Sequence, residues 1–246
     1  MARENWWDRR SDRASNSGFK SVRDAKKIAK ENAQKEVSAV YRYFDKEEHA
    51  AAFAKGQIFI STLKRCREYE DPLQGDSEEG FERFNTGRRI TGNGSDPVFV
   101  AMAARAGIHI AQNAIGVTIE NNSRTTYLHD AYVLCTTLGF SDDGLSKTFG
   151  KYCVKITSVD KFHSVVTSSL TSKAEIIRSL RGQIIYKERS YKEFEDSPGL
   201  IGFVKPPDKY ASQKEYRFLW YVPDGADISG IVIECPGAVP LLTPIY

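Results

Sequence analysis

The sequence predicts an α+β fold built on a largely antiparallel or mixed sheet with flanking helices. Three observations lead there. Strand candidates outnumber helix candidates, no regular strand–helix alternation marks a series of βαβ units, and apolar residues at 41% suffice for a substantial core. A chain of 246 residues fits one large domain with a tail. We place a polar N-terminal extension over 1–38 and the domain proper over 39–246.

Taken in order, residues 1 to about 20 are polar and rich in Arg, Ser and Asn, and read as a tail. Trp6 and Trp7 stand out there, as an anchor onto the domain or a docking element for a partner. Residues 22–36 are helix formers with few large apolar groups, which predicts an exposed helix of mixed charge. Val40-Tyr41-Arg42-Tyr43-Phe44 is β-prone. Asp45 with Glu48 three residues on reads as a capping box, the Ala-rich run to Lys55 as a helix, and Gly56 as the residue that ends it. Gln57–Thr62 is the next strand and 63–69 a short helix. Residues 70–97, with five glycines, read as one long functional or mobile loop. Strands are expected at 98–103, 107–119, 125–138 and 151–157. A helix is expected over 160–181 with Asp160 as its cap, and strands at 183–188, 200–204, 213–222 and 229–234.

Several chemistries are disfavoured. Cys66, Cys135, Cys153 and Cys235 form no C-x-x-C pair, so neither a zinc site nor a redox motif is indicated, and no metal is expected. Cys135 and Cys153 lie in apolar strand-like runs and read as reduced core residues, which points to a cytoplasmic protein. No apolar leader is visible and no stretch is long enough to span a membrane. The four histidines show no metal-binding spacing, and neither a nucleophile elbow nor a phosphate-binding P-loop occurs. Net charge is +3, which permits a nucleic-acid partner without arguing for one.

Three segments carry residue types suited to chemistry. In the strand around Glu215, alternation puts Gln213, Glu215, Arg217 and Leu219 on one face and Tyr216, Phe218 and Trp220 on the other. The aromatic face is core. The polar face is a cleft, a salt-bridged interior, or a solvent-exposed ion pair of little energetic weight. Arg42 between Tyr41 and Tyr43 pairs a phosphate-binding guanidinium with rings that stack on flat heterocycles. Ser61 and Thr62 close a strand before a helix, where hydroxyls cap the helix or bind a substrate. The acidic residues Glu70, Asp71, Asp76, Glu78, Glu79 and Glu82 lack calcium-loop register and read as a solvated loop. A magnesium-dependent nuclease using them ranks last among the readings.

The order of these segments resembles a broad bacterial family with an ADP-ribosyltransferase-like fold. Tyr41-Arg42-Tyr43 comes first, then Ile-Phe-Ile-Ser61-Thr62, Glu70-Asp71-Pro72, Phe203-x-Lys205-Pro206 and Gln213-Lys214-Glu215-Tyr216-Arg217. The resemblance spans about residues 40–222 and implies a split sheet with NAD as donor substrate. Glu215 would then be the catalytic carboxylate and Gln213 would position the nucleophile. Arg42, Tyr41, Tyr43, Ser61, Thr62 and Arg217 would face NAD, with Phe149 and Tyr186 as further rings for nicotinamide. Ser61–Thr62 lies closer to Arg42 than the family pattern has it, and Leu63 stands where a third serine would follow. The resemblance further implies a toxin or phage-defence effector restrained by an antitoxin or inhibitory protein. Arg83, Arg88 and Arg89 point to an RNA or DNA target over a protein one. A non-catalytic nucleotide-sensing module on a degenerate transferase fold is the alternative.

Overall fold

The structure is a computed structural model that describes residues 37–69, 75–87, 89–140, 146 and 149–245. Trp6, Trp7, the helix expected over 22–36, Glu70, Asp71 and Arg88 lie outside the described residues. Ala39–Tyr246 forms one compact unit of mixed α and β structure, with sheets mostly antiparallel.

The first strand, β1 (Ala39–Phe44), runs into helix α1 (Glu47–Ala54) and strand β2 (Gln57–Thr62). Asp45 does not cap α1. The N-cap is Lys46 and no side chain bonds the first turn, so the helix rests on packing of Ala50 and Phe53. Gly56 ends it at φ +88°, where an added Cβ would lie 2.7 Å from the Cys235 carbonyl oxygen. Thr62 then caps α2 (Leu63–Glu68), its Oγ1 accepting from Arg65 N at 3.2 Å.

The segment expected as a long loop holds two strands, β3 (Phe81–Asn85) and β4 (Arg89–Gly92). The strand expected at 98–103 is helix α3 (Pro97–Arg105). Its cause is local. Asp96 accepts hydrogen bonds from Val98 N and Phe99 N, Pro97 sits in the first turn, and the buried Phe99, Met102 and Ala103 follow helical spacing. Of 107–119 only the end is extended, as β5 (Val117–Glu120). The run 125–138 is two strands, β6 (Ser123–Tyr127) and β7 (Ala131–Thr137). Asp130 breaks it by accepting from Ala131 N and Lys64 N.

Strand β8 (Tyr152–Thr157) precedes helix α4 (Val159–Thr171), whose N-cap is Ser158 and not Asp160. The helix stops ten residues short of expectation because Arg178–Gln183 pairs as strand β9, so tertiary pairing overrides helix propensity. Short strands β10 (Ile185–Tyr186), β11 (Ser190–Lys192) and β12 (Val204–Lys205) follow, then α5 (Pro207–Tyr210) and a 3-10 turn over Ala211–Gln213. Strands β13 (Glu215–Tyr221), β14 (Ile231–Glu234) and β15 (Leu242–Pro244) close the chain.

The main sheet runs β14-β2-β7-β1-β8-β15, with β13 on β7 and β9 on β13. Strand β7 lies at its centre. Strand β13 pairs along its whole length, from Ala131 to Thr137. The other edge is shared: β2 takes Tyr132 and Val133, and β1 takes Thr137. Between the two pairings the Cys135 carbonyl is left to a side chain, and the sheet divides there.

Tyr216, Phe218 and Trp220 of β13 pack toward α4, as alternation predicts. Phe218 meets Phe162 edge-on at 5.4 Å, and Trp220 Nε1 donates to Thr167 at 2.7 Å. Leu219, on the opposite face, packs with Leu63, Val133, Ile184 and Phe203. His163 of α4 sits against Phe218 and Trp220, with Arg181 donating to its Nδ1 at 3.3 Å and its buried Nε2 without a partner. Burial, then the Arg181 charge, lowers its pKa to about 4.

An unfolded histidine titrates near 6.5, so the unfolded chain binds the extra proton first as pH falls. Stability is therefore lost from pH 6.5 down to about 4. Between pH 7 and pH 5 this group should cost roughly 2 kcal/mol. His163→Leu removes the buried imidazole and its orphaned donor. Urea unfolding should find it within about 1 kcal/mol of wild type at pH 7 and less acid-sensitive between pH 7 and 5. An unchanged slope with pH would assign the acid sensitivity elsewhere.

Candidate functional site

A cavity of about 320 Å³, partly open to solvent, lies where the sheet divides. Strand β1 contributes Tyr41, Arg42 and Tyr43, and β2 contributes Ser61. Helix α2 adds Arg65 and Cys66, while Cys135, Thr136 and Thr137 of β7 form the back. Lys205, Gln213, Glu215 and Arg217 close the far side, with Phe149 also in the wall.

The chain positions Glu215 through a turn. Lys214 takes a left-handed conformation at φ +45°, unusual for a residue with a side chain, between the 3-10 turn and β13. Thr137 Oγ1 donates to the Gln213 carbonyl at 2.7 Å, and Glu215 N donates to the Tyr186 hydroxyl at 2.7 Å. Tyr186 thus braces the strand start and is not among the cavity-lining residues.

The Glu215 carboxylate is 4% exposed. Arg217 Nε donates to its Oε1 at 2.8 Å and Lys205 Nζ to its Oε2 at 2.7 Å. Burial pushes the acid up, but the two cations outweigh it and hold it at about 2. Arg217, fully buried, also donates to both Glu79 oxygens at 2.8 and 3.0 Å and to the Gly202 carbonyl at 2.6 Å. Lys205 Nζ lies 3.6 Å from Glu79, and Arg189 makes a two-pronged bond to Asp76. Three carboxylates and three cations thus form one buried, neutral chain. Burial disfavours the Lys205 ammonium, but Glu215 and Glu79 raise its pKa. The solvent-exposed ion pair that a Glu-x-Arg strand permits is not what forms. The acids of the supposed solvated loop are split, with Asp76 and Glu79 in the interior and Glu78 on an exposed pair with Arg83.

Arg42 is the uncompensated charge of the site. Its Nη1 donates to the Cys135 carbonyl at 2.6 Å, filling the gap between β1 and β2, and its guanidinium lies 5.5 Å from the Phe44 ring centre. Among the described residues no carboxylate pairs with it, and its buried Nε has no hydrogen-bond partner. Burial lowers its pKa from the ordinary arginine value. The Cys66 and Cys135 thiols both line the cavity and influence each other. That influence lowers Cys66 and, with burial, raises Cys135 well above a free thiol.

The structure thus gathers Tyr41, Arg42, Tyr43, Ser61, Gln213, Glu215 and Arg217 around one cavity. Thr62 is not among the lining residues, because its hydroxyl caps α2 inside the domain. Arg217 lines the wall, yet its donors are committed to Glu215, Glu79 and Gly202, so it sustains Glu215 as an anion and has little left for a ligand. The sequence gives no signal that marks Lys205, Cys66 or Arg189 for this site, and Glu79 reads there as a solvated loop acid. Buried charge shows itself only once the partner is known, and Glu79 and Arg217 are 138 residues apart. Among the described residues no helix is long and apolar enough to cross a membrane.

No protein-family model matches the chain, and neither curated proteins nor solved structures provide a match.

Proposed function

We propose that the chain is an NAD-dependent ADP-ribosyltransferase acting on a nucleic-acid target. One observation carries this reading. An ionised carboxylate, Glu215, and an uncompensated guanidinium, Arg42, wall the same cavity at the division of the sheet. The Arg42 guanidinium supplies the positive charge for a pyrophosphate or ribose oxygen, and Tyr41, Tyr43 or Phe149 offers a face to nicotinamide. The volume sits near the low end of ligand sites, roughly 300–1,000 Å³, and suits the nicotinamide riboside half of the dinucleotide.

Glu215 accepts from a ribose hydroxyl. The bond from the anomeric carbon to nicotinamide breaks, and nicotinamide leaves with the electron pair. The carboxylate faces the oxocarbenium ion so formed. The acceptor, positioned by Gln213, then bonds to that carbon and releases a proton to solvent. The resemblance to toxin and phage-defence enzymes extends the reading to an effector held in check by an inhibitory protein.

A second reading, a nucleotide-sensing module without catalysis, is favoured by the engagement of both Glu215 oxygens. For catalysis Lys205 must yield Oε2 to the ribose. Incubation with NAD, with and without total cellular RNA and protein, separates the two. The transferase releases nicotinamide and labels the acceptor fraction. Binding of NAD without release leaves the sensing module.

A further inference from the structure

A second three-stranded sheet, ordered β11-β3-β6, lies outside the main one. Its inner face carries Phe84 and Tyr191, packed with Met102 and Ala106 of the α3 region. Its outer face differs in kind. Strand register places Phe81 beside Tyr127, and Arg83 between Thr125 and Ser190. Lys192 and Asn85 are paired on the same face.

Phe81 and Tyr127 stack at 5.4 Å with planes 17° apart, and His129 lies 4.6 Å from Tyr127. Tyr127 is 47% exposed. Strand pairing puts no acid on this face. Glu82 lies on the reverse, bonded by Tyr191 and Ser197. The nearby Glu78 holds Arg83 at 2.6 Å in an exposed pair, of a kind that a phosphate readily replaces.

We propose that this face docks single-stranded nucleic acid. Bases stack on Phe81 and Tyr127, and phosphates lie on Arg83 and Lys192. Stacked rings on a solvated sheet, with cations and hydroxyls on the strands and the flanking Glu78 held in an exposed pair with Arg83, match what an unpaired strand offers: flat faces and a charged backbone. A duplex keeps its base faces covered and gains nothing from the rings. The end of β6 is also tied to a helix that lines the cavity. Arg67 donates to the carbonyls of Leu128 and His129 at the end of β6 and follows the cavity-lining Cys66 in α2. That the docked strand is also the acceptor rests on the transferase reading; the docking does not.

The test is fluorescence anisotropy with labelled 12-nucleotide single strands, ribo and deoxy, and a duplex of the same sequence, over a salt series. Single strands should bind more tightly than the duplex, and affinity should fall with salt. Phe81→Ala with Tyr127→Ala should weaken single-strand binding about tenfold or more, Tyr127→Phe should not, and Lys192→Gln should flatten the salt slope by roughly 0.7. Tyr127→Ser alone serves should the double variant fail to fold. Absence of single-strand binding, equal binding of the duplex, or unchanged affinity in the aromatic variants overturns the proposal. Nicotinamide release without nucleic acid, unaffected by these variants, reports on the cavity alone, so the two readings fail separately.

Discussion

Arg217→Met should lower stability by about 3–5 kcal/mol. The guanidinium is fully buried and holds two carboxylates, donating to Glu215 through Nε and to both oxygens of Glu79. Removing it leaves three buried acids against two cations, with Lys205 alone between Glu215 at 2.7 Å and Glu79 at 3.6 Å. Methionine fills much of the volume but satisfies neither anion, nor the Gly202 carbonyl. Arg217→Lys keeps the charge without the planar fork and should fall between the two. Urea denaturation at pH 7 measures both. A loss under 1 kcal/mol for Arg217→Met would mean that the chain of charges contributes little to the fold.

Glu215→Gln should reduce nicotinamide release by at least about 10²–10³-fold, because the amide cannot face a developing cation as a carboxylate does. It is not a silent change for the fold. Glu215 is the counter-ion of both Arg217 and Lys205, so its loss leaves a buried positive charge and should destabilise the domain measurably. Adding Lys205→Met restores the charge count. The double variant should regain stability over Glu215→Gln while release stays lost. Release retained in Glu215→Gln would reduce residue 215 to a structural counter-ion. Full recovery of release in the double variant would move catalysis away from it as well.

The acid limb of stability follows from the same carboxylate. With its pKa near 2 against an unfolded value near 4.5, its contribution is complete above pH 4.5 and is lost as pH falls toward 2. The loss from His163 falls mostly above this range, between pH 6.5 and about 4, so the two are separable in a pH series.

The opening of the domain was legible in the sequence because its signals are local. Apolar alternation, the glycine after α1 and the Thr62 cap act within a few residues. The sidedness of β13 was legible for the same reason, since period 2 needs no partner. The helix over Pro97–Arg105 was misread because apolar content outweighed the Asp96–Pro97 start signal. The interior of the site was not legible. Asp76 and Glu79 look like loop acids until Arg189 and Arg217 arrive from 113 and 138 residues away. Lys205, flanked by Val204 and Pro206, has no periodic signal that marks it as buried.

Arg42 is fastened to a main-chain oxygen, and every amino acid at position 135 presents the same one. The fastening is therefore indifferent to mutational drift along β7. Replacing Cys135 alters the thiol pair and leaves the guanidinium moored, whereas only a change at Arg42 or a displaced strand backbone releases it.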